Sequence, residues 1–140
     1  MAYLDTSLLV AYYCPEPLSA AAQRTIRRDD RPTISPLVEV ELYSAVAAKV
    51  RARHLDRTTA DQVLALFQQH VADARLGMVA IGEGEYALAR NWLGRFATPL
   101  RALDALHLAA AHANDLTLVT ADQALARSAK HLGVKSSLIS

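Results

Sequence analysis

Short apolar runs alternate along the chain with longer amphipathic stretches, a pattern typical of strands separated by helices. The expected strands are residues 2–5, 32–35, 77–81, 116–120 and 134–139. The expected helices are residues 6–13, 18–28, 37–53, 58–75, 83–96, 103–114 and 121–132. The alternation predicts an α/β sandwich in which helices flank a central, mainly parallel sheet.

Composition narrows the class of protein. A chain of 140 residues suits one domain, so we expect residues 1–140 to fold together. With 52% apolar residues disorder is excluded, and a net charge of +1 does not indicate a non-specific nucleic-acid coat protein. Arg far outnumbers Lys, which suits a phosphate-bearing partner but fits the codon bias of a GC-rich genome equally well.

Several features indicate the cytoplasm. The lone Cys14 cannot form an internal disulfide, and no secretory signal opens the chain. The longest early apolar run, residues 8–14, is too short to span a bilayer, so no membrane association is expected. The histidines show no zinc-ligand spacing, and no Cys–His cluster exists.

Two acidic residues follow predicted strands in the same way. Asp5 comes directly after the first strand, and Asp122 comes just after the strand that ends at Thr120. Because sites in parallel α/β sheets form at the carboxyl ends of strands, these carboxylates meet if the two strands are neighbours. The alternative is that each Asp only caps the helix that follows it, because Asp is a preferred N-cap residue.

Glu41 and Asp104 lie in predicted helices. Glu39 and Glu41 point about 200° apart on a helix, and Glu41 falls on the apolar side, where an unpaired acid is costly. Asp104 opens the most hydrophobic helix of the chain, where it either caps the helix or serves a site. His107 shares its face and is interpreted as a core or supporting histidine rather than a metal ligand.

Four converging acids without basic partners would repel one another, and a divalent cation relieves that repulsion. Oxygen ligands without any soft ligand favour Mg²⁺, with Mn²⁺ as a substitute.

These segments, taken in order, resemble the motifs of PIN domains. Residues 4–11 (LDTSLLVA) resemble the opening motif, and Glu41 in its helix resembles the second acid. Residues 103–111 (LDALHLAAA) and 118–122 (LVTAD) resemble the third and fourth motifs, and Gly133 and Val134 follow as the closing turn. The order and spacing match over essentially the whole chain.

The resemblance, which is to the VapC-type toxins in particular, implies a PIN-like three-layer sandwich and a magnesium-dependent endoribonuclease. It implies Asp5, Glu41, Asp104 and Asp122 as the catalytic cluster, with Asp5, Asp104 and Asp122 as metal ligands. Thr6, Ser7 and Thr120 would support them with hydroxyl groups. It also implies a VapB-type antitoxin as partner and a homodimer.

An acidic site repels RNA, so cationic residues are expected to hold the substrate. Lys49, Arg51 and Arg53 lie about 12–18 Å along the predicted helix from Glu41 and are candidate RNA-binding residues. The alternative is that they only complement the dipole at the helix C-terminus.

Three other functions stay open at this point. The chain could be a PIN nuclease of RNA processing, or a DNA-directed one, without a toxin role, or an inactive PIN module that binds partners; the presence of all four acids argues against the last. A haloacid-dehalogenase-like phosphatase would need an Asp where Ser7 stands.

Overall fold

The computed structural model describes all 140 residues and contains five strands and seven helices. The strands are β1 (Ala2–Leu4), β2 (Thr33–Ile34), β3 (Gly77–Met78), β4 (Thr117–Thr120) and β5 (Ser136–Leu138). The helices are α1 (Thr6–Tyr13), α2 (Ser19–Arg28), α3 (Pro36–Arg51), α4 (Arg57–Ala72), α5 (Glu83–Leu93), α6 (Ala102–Ala113) and α7 (Gln123–His131). Every expected element is present in the expected order.

The strands form one sheet in the order β3-β2-β1-β4-β5, and every neighbouring pair is parallel. The expectation of a mainly parallel sheet is therefore confirmed. The central strand β1 is buried along its whole length, as expected for a parallel strand covered by helices on both faces.

The strand order creates a crevice beside β1. The chain builds outward from β1 through β2 to β3, and then returns to place β4 on the other side of β1. Such a reversal leaves an opening at the carboxyl ends of the two strands on either side of it. Leu4 pairs with Val119, and the Asp5 amide donates to the Val119 carbonyl at 3.0 Å, so the segments after β1 and β4 leave the sheet side by side.

Several helices end earlier than the hydrophobic pattern predicts. Arg53, Ala74 and Asp115 adopt positive φ angles just beyond α3, α4 and α6, as Gly133 does beyond α7. The amide that follows each of them bonds to a carbonyl five residues back, the closure typical of a Schellman motif. These bonds are His54 to Lys49, Arg75 to His70, Leu116 to Ala111 and Val134 to Ala129.

The sequence indicated only the turn at Gly133, because glycine usually marks this motif and the other three positions hold Arg, Ala and Asp. Helix α4 also begins one residue before the expected position 58, at Arg57. Asp56 caps the helix by accepting from the Thr59 amide at 2.7 Å.

The core lies between the sheet and the surrounding helices. Tyr3, Leu4, Phe67 and Leu108 are among its largest fully buried side chains. Helix α6 is buried over most of its length and contacts both β1 and β4. None of the helices combines the length and the hydropathy that crossing a bilayer requires.

Candidate active site

Asp5 lies at the end of β1 and is buried. Its carboxylate accepts three hydrogen bonds, from the Thr6 amide at 2.8 Å, from the Ser7 hydroxyl at 2.8 Å and from the Thr120 hydroxyl at 2.7 Å. A carboxylate offers about four lone-pair sites, so one remains for a further partner. Asp5 therefore caps α1 and still has an acceptor position to spare.

The hydroxyls of Ser7 and Thr120 also bind the backbone of the β4–α7 segment. Ser7 accepts from the Ala121 amide at 3.0 Å, and Thr120 accepts from the Asp122 amide at 3.0 Å. Each hydroxyl thus donates to Asp5 and accepts from an amide of the segment that follows β4. This double use holds the two strand ends together at the crevice.

Asp122 is exposed and caps α7. One of its oxygens, Oδ1, accepts from the amides of Ala124 at 2.8 Å and Leu125 at 3.2 Å. The other oxygen accepts no hydrogen bond from the protein. Capping and a role in a site are compatible at Asp122, because the cap uses only one of the two oxygens.

Glu41 is half-buried on α3, on the side whose neighbours Val38 and Leu42 are fully buried. Its Oε1 accepts from the Thr6 hydroxyl at 2.7 Å and from His107 Nε2, while Oε2 accepts from no protein group. Burial acts to raise the pKa of Glu41, but these two hydrogen bonds outweigh it and lower the pKa overall. Glu41 is therefore held as a carboxylate with one oxygen free.

Asp104 lies in the first turn of α6, and its side chain makes no hydrogen bond with the protein. The N-cap residue of α6 is Arg101, so Asp104 is not the cap. Its pKa is raised, first by burial and then by the negative charges of Asp5, Asp122 and Glu41. Asp104 therefore lies near enough to each of the other three predicted acids for their charges to act on it.

His107 is fully buried and hydrogen-bonds to Glu41 through Nε2. This agrees with its interpretation from the sequence as a core or supporting histidine. Two further members of this arrangement were missed. The Tyr3 hydroxyl lies 2.8 Å from His107 Nδ1 and 2.7 Å from the Ser35 hydroxyl. Burial raises the pKa of Tyr3. A tyrosine in a fully buried strand was the available signal, because its hydroxyl must find a partner in the core.

The four acids suit a divalent cation by their chemistry rather than by their present placement. No three His, Cys, Asp or Glu side chains are arranged in the structure so that they could hold a metal ion as they stand. The chemistry of the set nevertheless fits a hard cation, because every free donor is a carboxylate oxygen. Glu41 and Asp122 each keep one oxygen without a hydrogen bond, Asp5 keeps one acceptor position, and Asp104 keeps both oxygens.

The predicted RNA-binding residues lie at the far end of α3. This helix begins at the carboxyl end of β2 and runs away from the crevice, so Arg51 and Arg53 are exposed at the opposite end. Lys49 pairs with Glu16 at 2.9 Å, so a phosphate would compete with this carboxylate for it. A different basic surface lies along α7, which begins next to Asp122, in a groove of about 580 Å³ between α7 and β5 that Arg127 and Lys130 line.

Comparisons with known proteins agree with this fold. A family model described as the PIN domain matches residues 2–131, and no curated protein matches the sequence. VapBC2 from Rickettsia felis, solved with a DNA fragment from its promoter, gives a TM-score of 0.73 at 19% identity and covers 100% of both chains. VapC20 from Mycobacterium tuberculosis, described as a toxin that cleaves the sarcin–ricin loop, gives 0.71 at 15% identity over 91% of this chain and 95% of its own.

A third structure, DNA-bound VapBC from Salmonella typhimurium, gives a TM-score of 0.70 at 18% identity over 98% of each chain. At identities this low, the structural similarity establishes a shared fold and nothing beyond it.

The repulsion among the acids predicts a stabilising substitution. In metal-free buffer at neutral pH, Asp104→Asn should raise the free energy of unfolding by about 1 kcal/mol, because it removes one of several close, partly solvated like charges. Asp61→Asn on the exposed face of α4 is the matched control and should change stability by less than about 0.5 kcal/mol. Chemical denaturation in EDTA measures both.

The same substitution predicts a pH dependence. Because the folded state raises the pKa of Asp104, it binds this proton more tightly than the unfolded chain does. The wild type should lose stability relative to Asp104→Asn as the pH rises above the ordinary Asp value of about 3.9, and the difference should vanish below it. A variant no more stable than the wild type at pH 7 would show that the acids do not interact.

Proposed function

Because the chain belongs to the PIN-domain family, we propose that it is a metal-dependent endoribonuclease and the toxin of a VapBC-type toxin–antitoxin pair. The observation that carries the proposal is the group of four acids around the crevice between β1 and β4, in which burial and then the charges of the other three acids raise the pKa of Asp104. Carboxylates that repel one another and keep free oxygens suit a site completed by a cation. The neighbouring structures of VapBC complexes support the toxin role.

Each acid has a part in the proposed reaction. Asp5, Asp104 and Asp122 would hold Mg²⁺ or Mn²⁺, which polarises the scissile phosphate and acidifies the attacking water when bound. The free oxygen of Glu41 or of Asp122 orients that water. The hydroxyls of Ser7 and Thr120 keep Asp5 in place. Hydrolysis is expected to leave a 5′-phosphate and a 3′-hydroxyl.

We further propose that the protein acts in the cytoplasm, as one domain, in a homodimer that a VapB-type antitoxin inhibits. An apolar groove of about 280 Å³ is lined by Leu37, Val40, Tyr86 and Leu106, among others, and Val40 directly precedes Glu41 in the sequence. Val40 is 67% exposed and Tyr86 is 52% exposed, which leaves apolar surface for a partner chain to cover.

The nuclease activity is tested with Asp104→Asn, because this variant is expected to fold at least as well as the wild type. Wild-type protein should cleave structured RNA in Mg²⁺ or Mn²⁺ and lose activity in EDTA, and Asp104→Asn should lose activity by at least about 100-fold. Asp61→Asn should keep the wild-type rate. Gel analysis of end-labelled RNA measures cleavage and the chemistry of the ends.

Metal binding is measured separately from cleavage. The wild type should gain about 1.4 kcal/mol of stability when Mg²⁺ is present at ten times its dissociation constant, and Asp104→Asn should lose most of that gain. Intact RNA in millimolar Mn²⁺, with no Mg²⁺-linked stabilisation, would favour the inactive PIN module.

The toxin role is tested by expression. Induction of the wild-type chain alone should arrest bacterial growth, and a cognate VapB-type antitoxin should relieve the arrest. Asp104→Asn should permit growth at the same level of soluble protein. Normal growth with a soluble, RNA-cleaving wild type would favour a nuclease of RNA processing instead.

The two basic surfaces predict different substrate dependences. Helix α7 begins next to Asp122, so Arg127 lies about 7.5 Å along it from the site, whereas Arg51 lies about 15 Å along α3 from Glu41. Arg127→Gln with Lys130→Gln should raise KM for short and long RNA alike. Arg51→Gln with Arg53→Gln should raise KM only for RNA long enough to reach the far end of α3.

Salt dependence checks that these residues contact phosphates. Loss of two phosphate contacts should reduce the slope of log KM against log salt by about 1.4. An unchanged KM for short RNA in the α7 variant would assign substrate contact to α3 alone.

A further inference from the structure

A continuous line of buried hydrogen bonds leads from the end of β2 to Glu41. The Ser35 hydroxyl lies 2.7 Å from the Tyr3 hydroxyl, which lies 2.8 Å from His107 Nδ1, and His107 Nε2 bonds to Glu41 Oε1. The side chains of Ser35, Tyr3 and His107 are all fully buried. Tyr3 belongs to β1 and His107 to α6, whereas Ser35 and Glu41 lie at the start of α3 and within it. Only the tertiary structure brings these three elements together.

Elementary hydrogen-bond chemistry fixes the direction of each bond when the imidazole is neutral. A carboxylate only accepts, so His107 Nε2 must carry the hydrogen that bonds to Glu41. His107 Nδ1 then has a lone pair and accepts from the Tyr3 hydroxyl. With its own hydrogen donated, the Tyr3 oxygen accepts from Ser35. Glu41 thus sets the imidazole tautomer, and Tyr3 supplies the donor that this tautomer needs at Nδ1, so the ring is held at both nitrogens.

Ser35 shows that this line is maintained at the expense of an ordinary local interaction. It is the N-cap residue of α3, a position where a serine side chain normally accepts from an amide of the first turn. Here its hydroxyl makes no capping bond and binds Tyr3 instead. The serine thus serves the buried line rather than its own helix.

We propose that Tyr3 is a positioning residue of the reaction, acting through His107 to keep Glu41 Oε1 occupied and Oε2 free for the attacking water. The proposal rests on the proposed nuclease function and deepens it. Without the Tyr3 hydroxyl, His107 Nδ1 has no donor and the ring is held only at Nε2. The bond from Nε2 to Glu41 then weakens, and Thr6 becomes the main group that holds Oε1.

The chain offers a matched control for Tyr3→Phe. The Tyr13 hydroxyl bonds to His70 Nδ1 at 2.7 Å, at a half-buried site that shares no contact with the four acids. Tyr13→Phe therefore removes the same type of tyrosine–histidine bond without touching Glu41. Any effect seen only in Tyr3→Phe is specific to the buried line.

The first test is spectroscopic and needs neither metal nor substrate. In ¹⁵N NMR spectra of the metal-free protein, the His107 ring of the wild type should show the Nε2–H tautomer. Tyr3→Phe should move the Nε2–H proton resonance upfield, because the bond to Glu41 weakens when the ring loses its support at Nδ1, and Tyr13→Phe should leave the His107 signals unchanged. An Nδ1–H tautomer in the wild type, or an unchanged Nε2–H resonance in Tyr3→Phe, would overturn the proposal.

The second test is kinetic. Tyr3→Phe should lower kcat by about 10- to 100-fold, the effect typical of a lost supporting hydrogen bond, and should change KM by less than about twofold. Tyr13→Phe should keep the wild-type kcat. Wild-type kcat in a folded Tyr3→Phe would mean that the line only stabilises the core.

A double substitution separates the orienting role from a loss of packing. His107→Gln keeps an N–H donor for Glu41 but removes the imidazole ring that Tyr3 supports, so Tyr3→Phe should lower kcat little further in that background. A fully additive loss would contradict the proposed route through His107. If the wild type cleaves no RNA, the proposed function fails, and the NMR spectra alone decide whether Tyr3 orients His107.

Discussion

Hydrogen bonds near the ends of β1 and β4 hold three of the four candidate carboxylates in place against the repulsion that each exerts on Asp104. Asp5 accepts three of these bonds, Glu41 accepts two on a single oxygen, and Asp122 accepts two from its own helix. Asp104 has none, and its pKa is raised. The protein thus satisfies most of the negative charge locally and leaves the remainder for a positively charged ligand.

The same bonds connect the elements of the fold. The hydroxyls of Ser7 and Thr120 join the start of α1 to the segment before α7, and Thr6 joins α1 to α3 through Glu41. His107 adds α6 to this arrangement. Since α1, α3 and α6 each contribute a polar side chain to this arrangement, the site and the packing of these helices depend on each other.

The sequence pattern was sufficient for the order of the elements, and it singled out the four acids as candidates for one site. Asp5 and Asp122 follow apolar runs, and Glu41 occupies the apolar side of its helix, so local periodicity already marked them as unusual. The choice between cap and site that the sequence left open at Asp122 has a structural answer. One oxygen caps α7 and the other is free, and a linear pattern cannot separate the two oxygens of one carboxylate.

Helix ends and long-range partners lay beyond the sequence pattern. The ends after α3, α4 and α6 use non-glycine residues at positive φ, so they carry no glycine to mark them. The position of the Lys49 side chain depends on its ion pair with Glu16, which lies between α1 and α2 and is distant from Lys49 in the sequence.

By itself, then, the sequence determined which residues are apolar, where each element lies and which acids stand at strand ends or on buried helix faces, because those properties depend on neighbours along the chain. Only the tertiary structure decided that β4 returns to lie beside β1, and that Tyr3 meets His107 across 104 positions of sequence. Both are contacts between distant segments. They depend on how the helices pack against the sheet, which the periodicity of any one segment does not contain.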